Sequence, residues 1–321
     1  MNPSISFVLK ESVVTTNISY DYDSQNSFCL ESFKLEGSPN DAFFVRIENY
    51  LIGLKSHLPF LNHLHLKIDS KSTFPHSAGI ASSAAAFSAL ALCLCSIEAE
   101  LPGANPEGDE FYQRASHIAR LGSGSASRSL YNGLVLWGKT DLLPNSSDTQ
   151  AVRLDDSRVD PIFMTLRDAV LIADDSKKAI SSSQGHVLMN THHYRKARVI
   201  QATENLEKLL GALSAADTRL FTDVVENEAL SLHGLMMSSN PGYMLMKQNT
   251  LLMIEKIRQF RKSQNVDVCF TLDAGPNIHM LYFEKDKDVV KPFINGELAP
   301  LCINGRWIDD AMGDGPKRCK S

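Results

Sequence analysis

An aspartate, an arginine and two runs of serine, set at distant points of the chain, have the chemistry to handle anions. Asp273 follows the mostly apolar run 266–272 and opens the turn Asp273-Ala274-Gly275-Pro276-Asn277. A carboxylate at a strand end can project into a cleft and orient or deprotonate a hydroxyl; an Asx-turn residue looks the same in sequence. In the stretch Leu121-Gly122-Ser123-Gly124-Ser125-Ala126-Ser127-Arg128-Ser129-Leu130-Tyr131, Ser125 and Arg128 are three apart and share a face if the stretch is helical. A guanidinium beside hydroxyls suits a carboxylate or a phosphate, either of which it can hold by two parallel hydrogen bonds. A serine loop with a surface ion pair accounts for the same residues. In residues 74–84 a loop containing Pro75, Ser77, Ala78 and Gly79 leads through Ala81, Ser82 and Ser83 into an alanine-rich run. The first N–H groups of a helix have no internal partner, and with the helix dipole they attract phosphate. The lysine of a P-loop is absent, and a plain serine N-cap before a buried helix is the competing reading.

These residues need elements to position them. Residues 4–9 and 13–20 read as two strands of an antiparallel pair, and 27–35 as another strand before the turn signal at 37–40. Residues 41–54 carry helical periodicity, with Phe44, Ile47, Leu51 and Leu54 on one face. A strand at 63–69 precedes the Ala/Ser-rich helix, whose apolar stretch 84–97 is too short to span a bilayer. A helix at 110–121 and a third near Arg128 follow. Short buried strands at 134–137 and 169–173 lead to amphipathic helices over 192–213, 217–238 and 243–262. Strands at 267–272 and 278–283 and a helix or turn at 287–295 complete the pattern. The 321 residues suit two packed domains, with a boundary expected near 165 that separates 1–165 from 166–321.

Hydrophobic residues make up 43% of the chain, enough for a substantial core. A formal net charge of -5 argues against a general nucleic-acid or membrane-surface binder, though a local basic pocket can still take an anionic substrate. The cysteines at 29, 93, 95, 269, 302 and 319 form no C-x-x-C pair, which fits reduced thiols in a reducing compartment. The opening Met-Asn-Pro-Ser-Ile-Ser lacks a basic start followed by an apolar run, so no signal peptide is expected. His63 and His65 face one way on a strand, and His192 and His193 are adjacent, but no further ligand completes a zinc set at familiar spacing.

Taken together, the three segments resemble the diphosphomevalonate decarboxylase family, within the superfamily of galactokinase, homoserine kinase and mevalonate kinase. The superfamily's phosphate loop, Pro-x-x-x-Gly-[Leu/Ile]-x-Ser-Ser-Ala, is matched at 75–84. The decarboxylases' Gly-Ser-Gly-Ser-Ala-[Cys/Ser]-Arg-Ser-[Leu/Ile]-Tyr-x-Gly is matched at 122–133, with Trp137 following, and their Asp-Ala-Gly-Pro-Asn at 273–277. Residues 178–185 are similar to a family lysine-valine-serine-serine stretch, and 228–237 to a family helix. The resemblance implies an α+β, GHMP-kinase-like two-domain fold. It pairs an N-terminal ribosomal-protein-S5-domain-2-like domain with a C-terminal ferredoxin-like α/β domain, and sets the active site in the cleft between them. It implies ATP-dependent decarboxylation of mevalonate 5-diphosphate to isopentenyl diphosphate, ADP, phosphate and CO2, by a cytoplasmic homodimer that uses neither nucleic acid nor membrane. By the same resemblance Ser77, Ala78, Gly79, Ala81, Ser82 and Ser83 would meet ATP, with magnesium carried on the nucleotide near Ser82 rather than in a dedicated site. Ser123, Ser125 and Ser181 or Ser182 would contact the substrate's diphosphate, Arg128 its carboxylate, and Asp273 its C3 hydroxyl.

Two other outcomes keep the fold: a kinase that stops at phosphorylation, and a non-catalytic relative that binds nucleotide or diphosphate. The sequence departs from the family pattern twice. The family's Asn-x-Ala-x-x-Lys-Tyr-Trp-Gly-Lys-like motif has no counterpart, and the opening resembles the strand just after it. The N-terminal domain is therefore expected without its first strand and substrate-facing lysine. His186 stands where a methionine is usual.

Overall fold

The computed structural model describes residues 2–25, 27–74, 82–102, 108–176 and 182–319, with no side-chain description at 182, 183 and 186. Strands β1 (Ser4–Ser6), β2 (Val14–Tyr22), β3 (Cys29–Leu35) and β4 (Ser38–Pro39) lead into helix α1 (Asp41–Leu54). Asn40 starts that helix by accepting the Phe43 N–H at 3.1 Å, and Asp41 complements the helix dipole. Spacing by three and four then buries Ile47, Tyr50, Leu51 and Leu54. Strand β5 (Leu64–Ser72) alternates buried and half-buried residues and lies inside the sheet β2-β5-β3-β4.

Helix α2 (Ser82–Ala99) packs on this sheet together with α3 (Gly108–Gly122). With 18 residues it outruns the 84–97 stretch and is long and apolar enough to cross a membrane by length and composition. Its Leu90, Ala91, Leu94 and Cys95 are instead part of the core between sheet and helices. A 3-10 turn, Gly124–Leu130, stands where a third helix is expected near Arg128. A small sheet, β1-β6-β7, joins β1 to β6 (Val135–Trp137) and β7 (Ala151–Arg153).

The expected pairing of 4–9 with 13–20 does not form: β1 pairs with β6, and β2 with β5. The residues between are claimed elsewhere. Leu9 bridges Met312, and the N–H groups of Lys10, Glu11 and Ser12 all donate to the Asp310 carboxylate, at 2.9, 2.8 and 2.8 Å. A segment tied to a distant strand cannot turn back as a hairpin.

The second half is built on β8 (Leu166–Leu171), β9 (Val268–Thr271), β10 (Ile278–Phe283) and β11 (Trp307–Ala311), in the order β11-β8-β10-β9 with every pairing antiparallel. Helices α4 (Ser182–Leu188), α5 (Arg195–Ala215), α6 (Thr218–Met237), α7 (Gln248–Gln264) and α8 (Lys287–Phe293) accompany it. One sheet face, with Ala169, Leu171, Phe270, Met280 and Tyr282, packs against α6, α7 and α8. The other face looks toward the first half. Strands β7 and β11 escape the sequence reading because one has three residues and the other interrupts its apolar alternation with Asp309 and Asp310.

Candidate active site

Asp273 lies directly beyond β9, at the start of a turn pinned on every side. The Gly275 N–H donates to the Asp273 carbonyl at 2.7 Å, and His233 Nε2 of α6 donates to the same oxygen at 3.1 Å. Thr250 of α7 donates its hydroxyl to the Pro276 carbonyl at 2.7 Å, and the buried Asn277 accepts the Asp174 N–H at 3.1 Å. These bonds satisfy the turn's backbone from beneath and leave the Asp273 side chain exposed at the cleft.

The serine-arginine segment wraps tightly because its glycines admit large rings. A Cβ at Gly122 would sit 2.3 Å from the Phe87 ring, and one at Gly124 2.6 Å from the Trp137 ring. The buried Ser127 donates to the Gly124 carbonyl, and Ser116 of α3 donates to that of Ser127, both at 2.8 Å. In a 3-10 turn residues three apart are eclipsed, so Ser125 and Arg128 share a side. Ser123 and Ser125 face each other with their hydroxyls 3.5 Å apart, while Arg128 and Ser129 line the cleft wall. Arg128 donates through Nη1 to the Ser4 hydroxyl, and its buried Nε has no partner. Burial pushes its pKa down to about 10, against the opposing pull of the Asp273 charge, so it remains a cation at neutral pH.

Ser82 and Ser83 open α2 and line a small apolar pocket with Arg46, whose Nη1 donates to the Ser83 hydroxyl at 3.3 Å. The main cleft is lined instead by the next residues along the helix, Ala84, Ala85 and Ser88, and not by Ser82 or Ser83. No acidic residue lies in the first turn of α2, so the helix itself places no carboxylate where its dipole would draw an anion. Ser77, Ala78, Gly79, Ala81 and Ser181 lie outside the described residues, as do the side chains of Ser182 and His186.

The cleft that collects Arg128, Asp273 and the first turns of α2 has a volume of about 1270 Å³, above the ~300–1,000 Å³ typical of a single small-molecule site. Among the described residues no group of three or more His, Cys, Asp or Glu could hold a metal ion. A magnesium ion bound here would keep most of its ligands from phosphate and water.

Residues 1–151 match the family described as diphosphomevalonate decarboxylase-like N-terminal domain, and residues 169–300 the mevalonate 5-diphosphate decarboxylase C-terminal domain. The diphosphomevalonate decarboxylase of Saccharomyces cerevisiae is 31% identical over 310 residues, covering 91% of this chain and 74% of its own. The chain belongs to the diphosphomevalonate decarboxylase family. Its fold agrees with solved members. The mevalonate diphosphate decarboxylase of Staphylococcus aureus superposes with a TM-score of 0.80 at 25% identity, covering 98% of this chain and 88% of that one. A further solved structure, MDDEF in complex with MVAPP, AMPPCP and magnesium, superposes with a TM-score of 0.78 at 22% identity, covering 98% of this chain and 89% of that one. The α+β GHMP-kinase-like architecture expected from the sequence is thus the fold of this family member.

The sequence reading missed His233, Thr250, Asp168 and His279. His233 falls inside the stretch 228–237 compared with a family helix, but nothing in its spacing shows that it reaches the Asp273 carbonyl. Asp168 and His279 are 111 positions apart, and only strand register brings them together.

Proposed function

We propose that this cleft performs the ATP-dependent decarboxylation of mevalonate 5-diphosphate to isopentenyl diphosphate, ADP, phosphate and CO2. The observation that carries the proposal is the exposure of the Asp273 carboxylate and the Arg128 guanidinium to one cavity, near enough for the first to raise the pKa of the second. Asp273 orients the C3 hydroxyl and takes its proton. Arg128 grips the substrate carboxylate with two parallel hydrogen bonds. Ser82, Ser83 and the preceding residues, including Ser77, Ala78, Gly79 and Ala81, cradle the nucleotide phosphates. Ser123, Ser125 and Ser181 or Ser182 hold the diphosphate tail. ATP, with its magnesium, supplies the phosphoryl group that turns a poor tertiary leaving group into a good one. As phosphate departs, positive charge grows at C3, and the electron pair of the breaking carboxylate bond fills the new double bond. Arg128 must orient that carboxylate yet bind neutral CO2 weakly, which favours forward reaction.

Supplying the purified chain with mevalonate 5-diphosphate, magnesium and ATP should yield ADP, phosphate and CO2 in equal amounts. ADP without CO2 would make the protein a kinase, and neither product would leave a binding relative. The reading also carries a cytoplasmic homodimer, which fractionation and sedimentation would check.

A further inference from the structure

On the cleft-facing side of the second sheet stand two titratable residues that the reaction above does not use. Asp168 on β8 is 3% exposed. Its Oδ2 lies 2.6 Å from Nδ1 of His279 on β10, and its buried Oδ1 has no partner among the described residues. Strand register explains the contact: Val170 is opposite His279 and Leu281 opposite Asp168, so the pair are diagonal neighbours on one face. Both line the cleft, as do Arg128 and Asp273. With Nδ1 committed to the carboxylate, the ring turns Nε2 to other work, and Nε2 has no hydrogen-bond partner among the described residues.

A buried carboxylate with one oxygen unsatisfied is costly. The flanking Ala169, Val170 and Leu171 are all fully buried, so an apolar side chain would suit the same strand. The charges around the ring come from several elements. Asp168 and Asp310 belong to the sheet, Asp273 to the turn beyond β9, and Arg128 to the opposite wall; the Cys269 thiol of β9 lies near Asp168. Burial opposes charge on the ring, but the carboxylates of Asp168, Asp273 and Asp310 outweigh it and raise the pKa of His279. The ring thus holds its proton to a higher pH than an ordinary imidazole, among carboxylates at a cavity wall.

We propose that His279, held in place by Asp168, is a substrate-contacting residue whose Nε2–H donates to the phosphoryl group delivered to the oxygen that Asp273 faces. The proposal rests on the decarboxylase reading and adds a residue to it. A phosphoryl anion approaching the Asp273 carboxylate meets like charge, and Arg128 is already engaged with the substrate carboxylate. His279 supplies an N–H donor there, strengthened by charge while the ring is protonated. The contact is a hydrogen bond, and no proton changes owner.

The test is an NMR titration of the His279 ring, its signal assigned by its loss in His279→Gln. Adding mevalonate 5-diphosphate with magnesium and AMPPCP should raise the ring pKa by about half a unit or more, as a nearby anion must. Inorganic phosphate alone should shift it less. Asp168→Asn should lower the value in the free protein. A ring pKa unmoved by the complete ligand set would overturn the proposal. In turnover, His279→Gln should cut kcat by roughly 10-fold or more, as loss of a charge-assisted hydrogen bond predicts, with KM little changed. It should also remove the fall in rate as pH rises through the ring's pKa. Unchanged kcat with an unchanged pH profile would equally overturn it. If the wild type releases no CO2, the functional reading fails, while the titration still decides whether His279 meets a phosphoryl group.

Discussion

On the proposed reading Asp273 and Arg128 do different work, and substitution would separate them. Asp273→Asn keeps the shape and removes the base, so kcat should fall by roughly 10²–10⁴-fold while calorimetry still registers AMPPCP binding. Turnover like that of the wild type would take Asp273 out of the reaction. Arg128→Lys replaces a flat two-pronged donor with a point charge, and kcat/KM should drop about 10–100-fold, as expected for losing one charged hydrogen bond. His279 also links stability to pH. Its folded pKa is raised above the ordinary 6.5, so the stabilisation is complete below that value and is lost as pH climbs through the raised folded value. Melting temperatures of wild type and His279→Gln should therefore converge on the alkaline side. Asp273 and Arg128 stood out in the sequence only through the resemblance of their motifs to a known family, since each segment alone fits a plain turn or a surface ion pair equally well, but the structure does set both at one cleft. Asp168 and His279 did not stand out, because an aspartate and a histidine on separate strands carry no mark of their partnership until the sheet pairs them.

At the level of elements, the tight turn at Gly124–Leu130 depends on a missing side chain. Gly124→Ala would drive a methyl into the Trp137 ring and should cost about 1–3 kcal/mol by overpacking. Chemical denaturation measures that loss, and turnover should fall with it as Arg128 shifts. Helix α1 was readable to the residue, because an Asn cap, an acidic first turn and an apolar stripe all specify 41–54. The 3-10 form of the arginine turn was not, since serine, glycine and alanine carry little periodicity and the ring packing that tightens it comes from Phe87 and Trp137. The β1 and β2 strands were readable as strands but not as partners, because their pairing is decided by β6, β5 and the carboxylate of Asp310.

For the molecule as a whole, the cleft exists because two separately built sheets are fastened together at their near edges. Asp310, 1% exposed, is one such fastening. Asp310→Asn would keep one oxygen for the N–H groups of Lys10 and Glu11 but turn an amide N–H against that of Ser12, and should destabilise the protein by about 1–3 kcal/mol. In that variant, hydrogen exchange should quicken at those three amides more than in β2. The class of fold was expected from the resemblance of the motifs to a known family, but the joining of the halves was not visible, since it rests on residues 300 positions apart. That separation bears on how the chain is made. During synthesis residues 10–12 leave the ribosome 300 positions ahead of Asp310, so their amides must wait, still wet, until β11 follows. Chains released before β11 is made would expose this segment to proteases, and the later strand decides whether the earlier segment becomes part of a finished wall.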